Sequence, residues 1–188
     1  MPALAPLPPE SHSQAAFESE RRDHPVASAS FRQAMRHLAG AVSVITVGRG
    51  ATRTGFTATS VSSLSADSPS IIVSLNTSSS SWPAVQRHRS FCVNILAEDQ
   101  QGIADNFAGR GGIKGVDRYQ DAEWREFATG ASGLVGALTV LDCVLEEAIT
   151  RHSHSILIGS VQGAAIRPEA KPLLYWHGAY RHLSDRTA

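Results

Sequence analysis

The sequence is short of several things at once. It has two cysteines in 188 residues, Cys92 and Cys143, far apart and each inside an apolar stretch. That excludes a disulfide framework, and there is no CxxC pair for a redox or zinc site. The two thiols read as buried groups of a protein kept in a reducing cytoplasm. Seventeen basic residues balance seventeen acidic ones, so no net field draws in nucleic acid or an anionic membrane. Any anion must be held locally. No apolar run approaches the ~20 residues of a membrane span, and the opening MPALAPLPPESHSQ lacks the basic flank and apolar stretch of a secretory signal. Also missing are GxGxxG after a strand, GxxxxGK[ST] and GxSxG, the signatures of Rossmann and P-loop nucleotide sites and of a hydrolase elbow.

What is present is one β-rich domain behind a polar leader. Residues 1–28 are rich in Pro, Ala, Ser and charge and read as a disordered extension; residues 29–188 read as the domain. Ser30 is placed to cap a helix over FRQAMRHLAG that stops at Gly40. Strands are expected over 41–48, 69–75 and 90–96, with a serine- and threonine-rich extended stretch over 52–67. Pro83 can start a short helix, and a second helix is expected over 97–109, ending at Gly109. Residues 110–133 read mostly as loop, anchored by Tyr119, Trp124 and Phe127. Two long strands meet near residues 151–153, and a final hairpin turns about Gly178. Many strands and short helices without βαβ alternation favour an antiparallel barrel.

Three stretches carry polar groups that a core does not need. In Gly55-Phe56-Thr57-Ala58-Thr59-Ser60-Val61-Ser62-Ser63-Leu64-Ser65, small side chains leave the backbone approachable, so the strand suits either a flat polar ligand or plain solvation at a sheet edge. Thr77 to Ser81 precede the Pro83 helix and suit either a cap or an anion seat, with Arg87 or Arg89 the nearest cations. In RHSHS, His152 and His154 share a face if extended, which fits a solvent-facing strand end or the start of a metal site that lacks further ligands; no metal is assigned.

Taken in order, FRQAMRHLAGAVSVITV, GFTATSVSSLSADSPSIIVSLNTSSSSWPAV, FCVNILAEDQQGIADNFAG, HSHSILIGSVQG and PLLYWHGAYRHL resemble the short-chain NAD(P)H:flavin oxidoreductases, over about Phe31 to Leu183. The resemblance implies an FMN-binding split β-barrel, mainly β with short helices. It implies FMN or FAD as the flavin, NADH or NADPH as hydride donor, a homodimer, and a separate flavin-dependent monooxygenase that receives reduced flavin. Carried over by position, Thr57, Ala58, Thr59, Ser60 and Val61 border the isoalloxazine ring, with Ser63 and Leu64 behind. Ser78, Ser80 and Ser81 line the ribityl phosphate, and Asn106, Phe107, Ala108 and Gly109 complete the flavin site. His154 takes the position of a catalytic histidine that meets the nicotinamide nucleotide, with Tyr180 near that pocket. The family often has Gly-Asp before this histidine where the chain has His152-Ser153, and Pro-Pro where it has Ser68-Pro69-Ser70. Other activities on such a barrel are flavin binding without turnover and oxidation of a separate substrate.

Overall fold

The structure, a computed structural model, describes residues 25–184. The expectation for residues 1–28 therefore lies almost wholly outside the described residues. Helix α1 spans Ser28–Met35, two residues ahead of the expected Ser30 cap, and none of its residues is buried. No helix among the described residues is long and apolar enough to cross a membrane.

From Arg36 onward the chain builds the barrel. Its strands are β1 (Gly40–Ala41), β2 (Ser43–Val47), β3 (Thr54–Ala58), β4 (Val61–Ser65), β5 (Ser70–Asn76), β6 (Ser90–Ile95), β7 (Trp124–Glu126), β8 (Ser132–Leu134), β9 (Thr139–Arg151), β10 (His154–Ile166), β11 (Leu174–Trp176) and β12 (Ala179–Arg181). Helix α2 is Trp82–His88 and α3 is Gln101–Phe107. Seven strands pair antiparallel in the order β3-β2-β6-β9-β10-β5-β4. The two edge strands, β3 and β4, are neighbours in sequence, so the sheet curls until its edges come together at Thr59-Ser60 without pairing. That is a split barrel.

Alternation of side chains explains why β2 and β6 are buried on both faces. Ile45, Val47 and Val93 join Phe56, Val73, Leu75, Phe91 and Leu157 in the barrel interior. Val44 and Cys92 face the other way, onto α3 and the aromatic group Phe107, Tyr119 and Trp124. The tight fit of α3 against β3 depends on Gly55: a Cβ there would lie 2.4 Å from the Ile45 carbonyl oxygen and 2.6 Å from the Phe107 ring.

Three expectations need correction. The stretch 52–67 is two strands, because the chain crosses from one edge of the sheet to the other at Thr59-Ser60. The expected strand 41–48 is likewise two: β1 pairs with β11, whereas β2 pairs with β3 and β6. The loop 110–133 contains two 3-10 turns, Arg110–Gly112 and Gly115–Tyr119, and pairs its own hairpin, β7 with β8. Its expected anchors do anchor it: Tyr119 is buried, and Trp124 and Phe127 pack on the same cluster.

Candidate functional site

The unpaired edge of the barrel is where the chemistry gathers. Edge strands leave half of their backbone N–H and C=O groups without a sheet partner, and the end of β3 presents these groups to a cleft of about 400 Å3. Phe56, Thr57, Ala58, Thr59 and Ser60 form one wall; Ser74, Leu75, Asn76, Ser79 and His154 form another; Phe107, Ala108 and Arg118 close the end. Thr57 donates its hydroxyl to the Ala104 carbonyl at 2.6 Å and Ser60 to the Ser74 carbonyl at 3.1 Å. Both hydroxyls are thereby fixed in orientation, with oxygen lone pairs left to accept.

His154 opens β10 beside Asn76, its register partner on β5. The turn that delivers it is pinned: the Ser153 carbonyl accepts from the Thr77 N–H at 2.9 Å and from its hydroxyl at 3.2 Å. The Ser153 hydroxyl lies 2.9 Å from Nδ1 of His154. His152 sits in the left-handed region at φ 51, so the chain is turning there and the two histidines do not share a strand face, against the extended alternative read from RHSHS. Among the described residues no group of three or more His, Cys, Asp or Glu could hold a metal ion.

Arg118 is the residue that sequence reading missed. It is 7 % exposed and lines the cleft, with its guanidinium donating to the carbonyls of Gly55 and Ile113. No described carboxylate pairs with it, and burial pulls its pKa below the usual arginine value. Held by carbonyls and facing no carboxylate at the end of the cleft, its guanidinium has the chemistry to receive an anion. Gly109, at φ 74, ends α3 close by; a Cβ there would lie 3.5 Å from a terminal nitrogen of Arg118.

A smaller cleft of about 230 Å3 shares Thr57, Ala58, Thr59 and Ala108 with the first and adds Val42, Arg110, Tyr175 and Tyr180. The Tyr180 hydroxyl donates to Asp105 at 2.9 Å, and Arg110 pairs with the same carboxylate at 3.2 Å. Burial first, and then that hydrogen bond, push the Tyr180 pKa up to about 12.

The remaining expected site residues fall elsewhere. Val61, Ser63 and Leu64 lie on β4 beyond the cleft, and the latter two are exposed. Ser78 is exposed, with its N–H and hydroxyl both donating to Asn76 Oδ1. Ser80 opens on a third, basic cleft. Ser81 is fully buried and donates its hydroxyl to the Gly55 carbonyl at 2.8 Å, so that hydroxyl faces the core and makes no side-chain cap. Arg89, expected as a reaching cation, is turned to β9, where it donates to the Leu145 and Glu146 carbonyls. Asn106, expected to complete the flavin site, lines a different cavity of about 410 Å3 with Asp99, Asp121 and Glu123.

Comparison with known proteins follows the same lines. Residues 35–184 match the family described as flavin reductase like domain. The chain is 36% identical over 155 residues to "FMN reductase (NADH) RutF" of Klebsiella pneumoniae subsp. pneumoniae, an alignment covering 82% of this chain and 93% of that one. Among solved structures, BorF, the flavin reductase component of a bacterial two-component tryptophan halogenase, superposes with TM-score 0.77 at 33% identity over 85% of this chain and all of its own. The NADH:FAD oxidoreductase SgcE6 of Streptomyces globisporus C-1027 superposes with TM-score 0.78 at 25% identity over 86% of this chain and 96% of its own.

Proposed function

The chain belongs to the flavin reductase-like domain family, and from that premise we propose that it catalyses NADH-dependent reduction of FMN or FAD and hands the reduced flavin to a separate flavin-dependent oxygenase. The observation that carries the reading is the outer edge of β3, which has no strand neighbour, with Thr57 to Ser60 facing a cleft that also holds His154 and the buried Arg118. These residues fit a flavin: a flat, hydrogen-bonding ring needs exposed backbone edges and small neighbours, and its phosphate tail needs a cation.

When bound, the two cofactors supply the reacting atoms, nicotinamide C4 as hydride donor and flavin N5 as acceptor, so no protein nucleophile is required. The protein contributes placement. The main chain of Thr57–Thr59 would supply donors and acceptors to the ring, and each such bond is worth about 1 kcal/mol net. Arg118 would supply positive charge to an anionic group of the ligand. His154, at the mouth of the cleft, orients the nicotinamide nucleotide, and Tyr180 bounds the adjoining space. Holding the rings at reacting distance is the source of rate.

A second copy of the chain completes the account: Leu64, Val144 and Ile156 on β4, β9 and β10 are 40 % or more exposed and give a second protomer apolar surface to cover. Free, buried Cys92 and Cys143 suit a reducing cytoplasm. The test is NADH consumption by purified protein with FMN or FAD added; a rate no higher than that of free flavin would sink the reading.

A further inference from the structure

The smaller cleft is joined to the flavin cleft by its walls. Thr57, Ala58, Thr59 and Ala108 line both, whereas no residue of the flavin cleft lines the basic cleft or the cavity around Asn106. Its far wall is the β11–β12 hairpin, which β1 carries to the barrel edge: a Cβ at Gly40 would lie 3.1 Å from the Cβ of Thr59. At about 230 Å3 the space is too small for a whole dinucleotide and takes one part of it. Arg110 is the one charged residue that lines it.

Asp105 answers that charge. It follows Ala104, whose carbonyl accepts the Thr57 hydroxyl at 2.6 Å, so α3 presents the carboxylate at a fixed place beside β3. A single oxygen, Oδ1, accepts the Tyr180 hydroxyl at 2.9 Å and meets Nη1 of Arg110 at 3.2 Å. The Arg110 guanidinium also lies 5.6 Å from the centre of the Tyr180 ring, which meets its register partner Tyr175 edge-on at 5.4 Å. The Asp105 side chain is 26 % exposed and that of Arg110 59 %, so their pairing adds little to folding stability. What it does set is the charge of the cleft.

The two nicotinamide donors differ by one phosphate on the adenosine ribose, which adds about two negative charges. In dinucleotide sites of other folds a carboxylate selects the free ribose hydroxyl and an unpaired arginine accommodates the phosphate. Here both groups are present, and they are paired with each other. We propose that Asp105 is the donor-selecting residue of this chain: its carboxylate engages Arg110, so the small cleft takes the adenosine ribose of NADH and has no free cation for the phosphate of NADPH. The inference rests on the flavin reductase reading and deepens it.

The test is kcat/KM with NADH and with NADPH at saturating FMN, for the full chain, for Asp105→Asn and for the double variant Asp105→Asn/Arg110→Ala. Asparagine keeps an oxygen that can accept the Tyr180 hydroxyl while the charge goes, so it separates charge from position. The unaltered protein favours NADH. Asp105→Asn raises kcat/KM for NADPH about fivefold, the scale of one exposed charge pair, and the double variant loses the gain because no cation remains to receive the phosphate. A ratio of the two donors that does not move would overturn the proposal. So would a ratio that falls only through lost turnover with NADH, which would make Asp105 a brace for Tyr180, and so would a gain that survives in the double variant. If the unaltered protein reduces flavin equally well with either donor, the inference fails while the flavin reductase reading stands; if it reduces flavin with neither, that reading falls as well.

Discussion

The hydroxyl of Ser153 lies 2.9 Å from Nδ1 of His154, while the carbonyl of the same serine is tied to Thr77. The imidazole is thus held on one side by its own neighbour, which is anchored to the start of the serine run. A neutral hydroxyl does here what a carboxylate at that place would do with charge, and which nitrogen faces a ligand is set by the bond the other one makes. We expect Ser153→Ala to raise KM for NADH several-fold with little change in flavin Kd, and Ser153→Thr to restore it. His154→Ala should be the more damaging of the two. If His154→Ala leaves kcat/KM for NADH untouched, the histidine has no part in the reaction; if only Ser153→Ala is silent, the hydroxyl does not position it.

Ser81 and Ser80 are neighbours with opposite duties. The Ser81 hydroxyl is buried against Gly55 and lies 3.3 Å from the Thr54 hydroxyl, whereas Ser80 is exposed on the basic cleft. Loss of a buried hydrogen bond costs about 1 kcal/mol. Denaturant unfolding should therefore show Ser81→Ala destabilised by about that amount, with Ser80→Ala unchanged. The reverse order would mean that Ser81 does not brace β3.

Tyr180 keeps its proton through the working pH range, because burial and the bond to Asp105 raise its pKa to about 12. A raised phenol pKa favours the neutral donor form, which persists until pH approaches that value. The effect of Tyr180→Phe on KM for NADH should then be the same factor at about pH 6 and about pH 9, both well below a normal tyrosine pKa. An effect present at the lower pH and gone at the higher would contradict this.

Cys92 and Cys143 should both be inert in the native protein. Burial, and then the charge of Asp142, raise the Cys92 pKa; burial first and Asp142 second push Cys143 up to about 12. Since the thiolate is the nucleophile, an alkylating reagent should label neither until the protein unfolds. Rapid labelling of the native chain would show that one of them is accessible and ionised.

The order of strands could be read from the chain because its punctuation is local. Pro83 opens α2, Gly178 marks the last hairpin, and the polar break at residues 151–153 separates β9 from β10. The β7–β8 hairpin escaped because its strands have three residues each, too short to show a period. The edge-to-edge crossing at Thr59-Ser60 escaped because alternating hydroxyl residues continue through it without a turn residue. In the site, Thr57 to Ser60, Phe107, Ala108 and His154 do meet in one cleft, whereas Asn106 turns to another cavity and Ser81 to the core. Arg118 stood in a polar loop as one cation among seventeen basic residues. What distinguishes it is burial without a counter-charge, and the only hint was the aromatic anchor Tyr119 next to it.

The most direct test is anaerobic single-turnover mixing of the protein and flavin with NADH, following flavin and nicotinamide absorbance together. Flavin bleaching that keeps pace one-for-one with NADH loss, and that is slowed in His154→Ala, is the predicted result. Flavin that binds but stays oxidised while NADH persists would contradict a reductase and leave only a flavin-holding barrel.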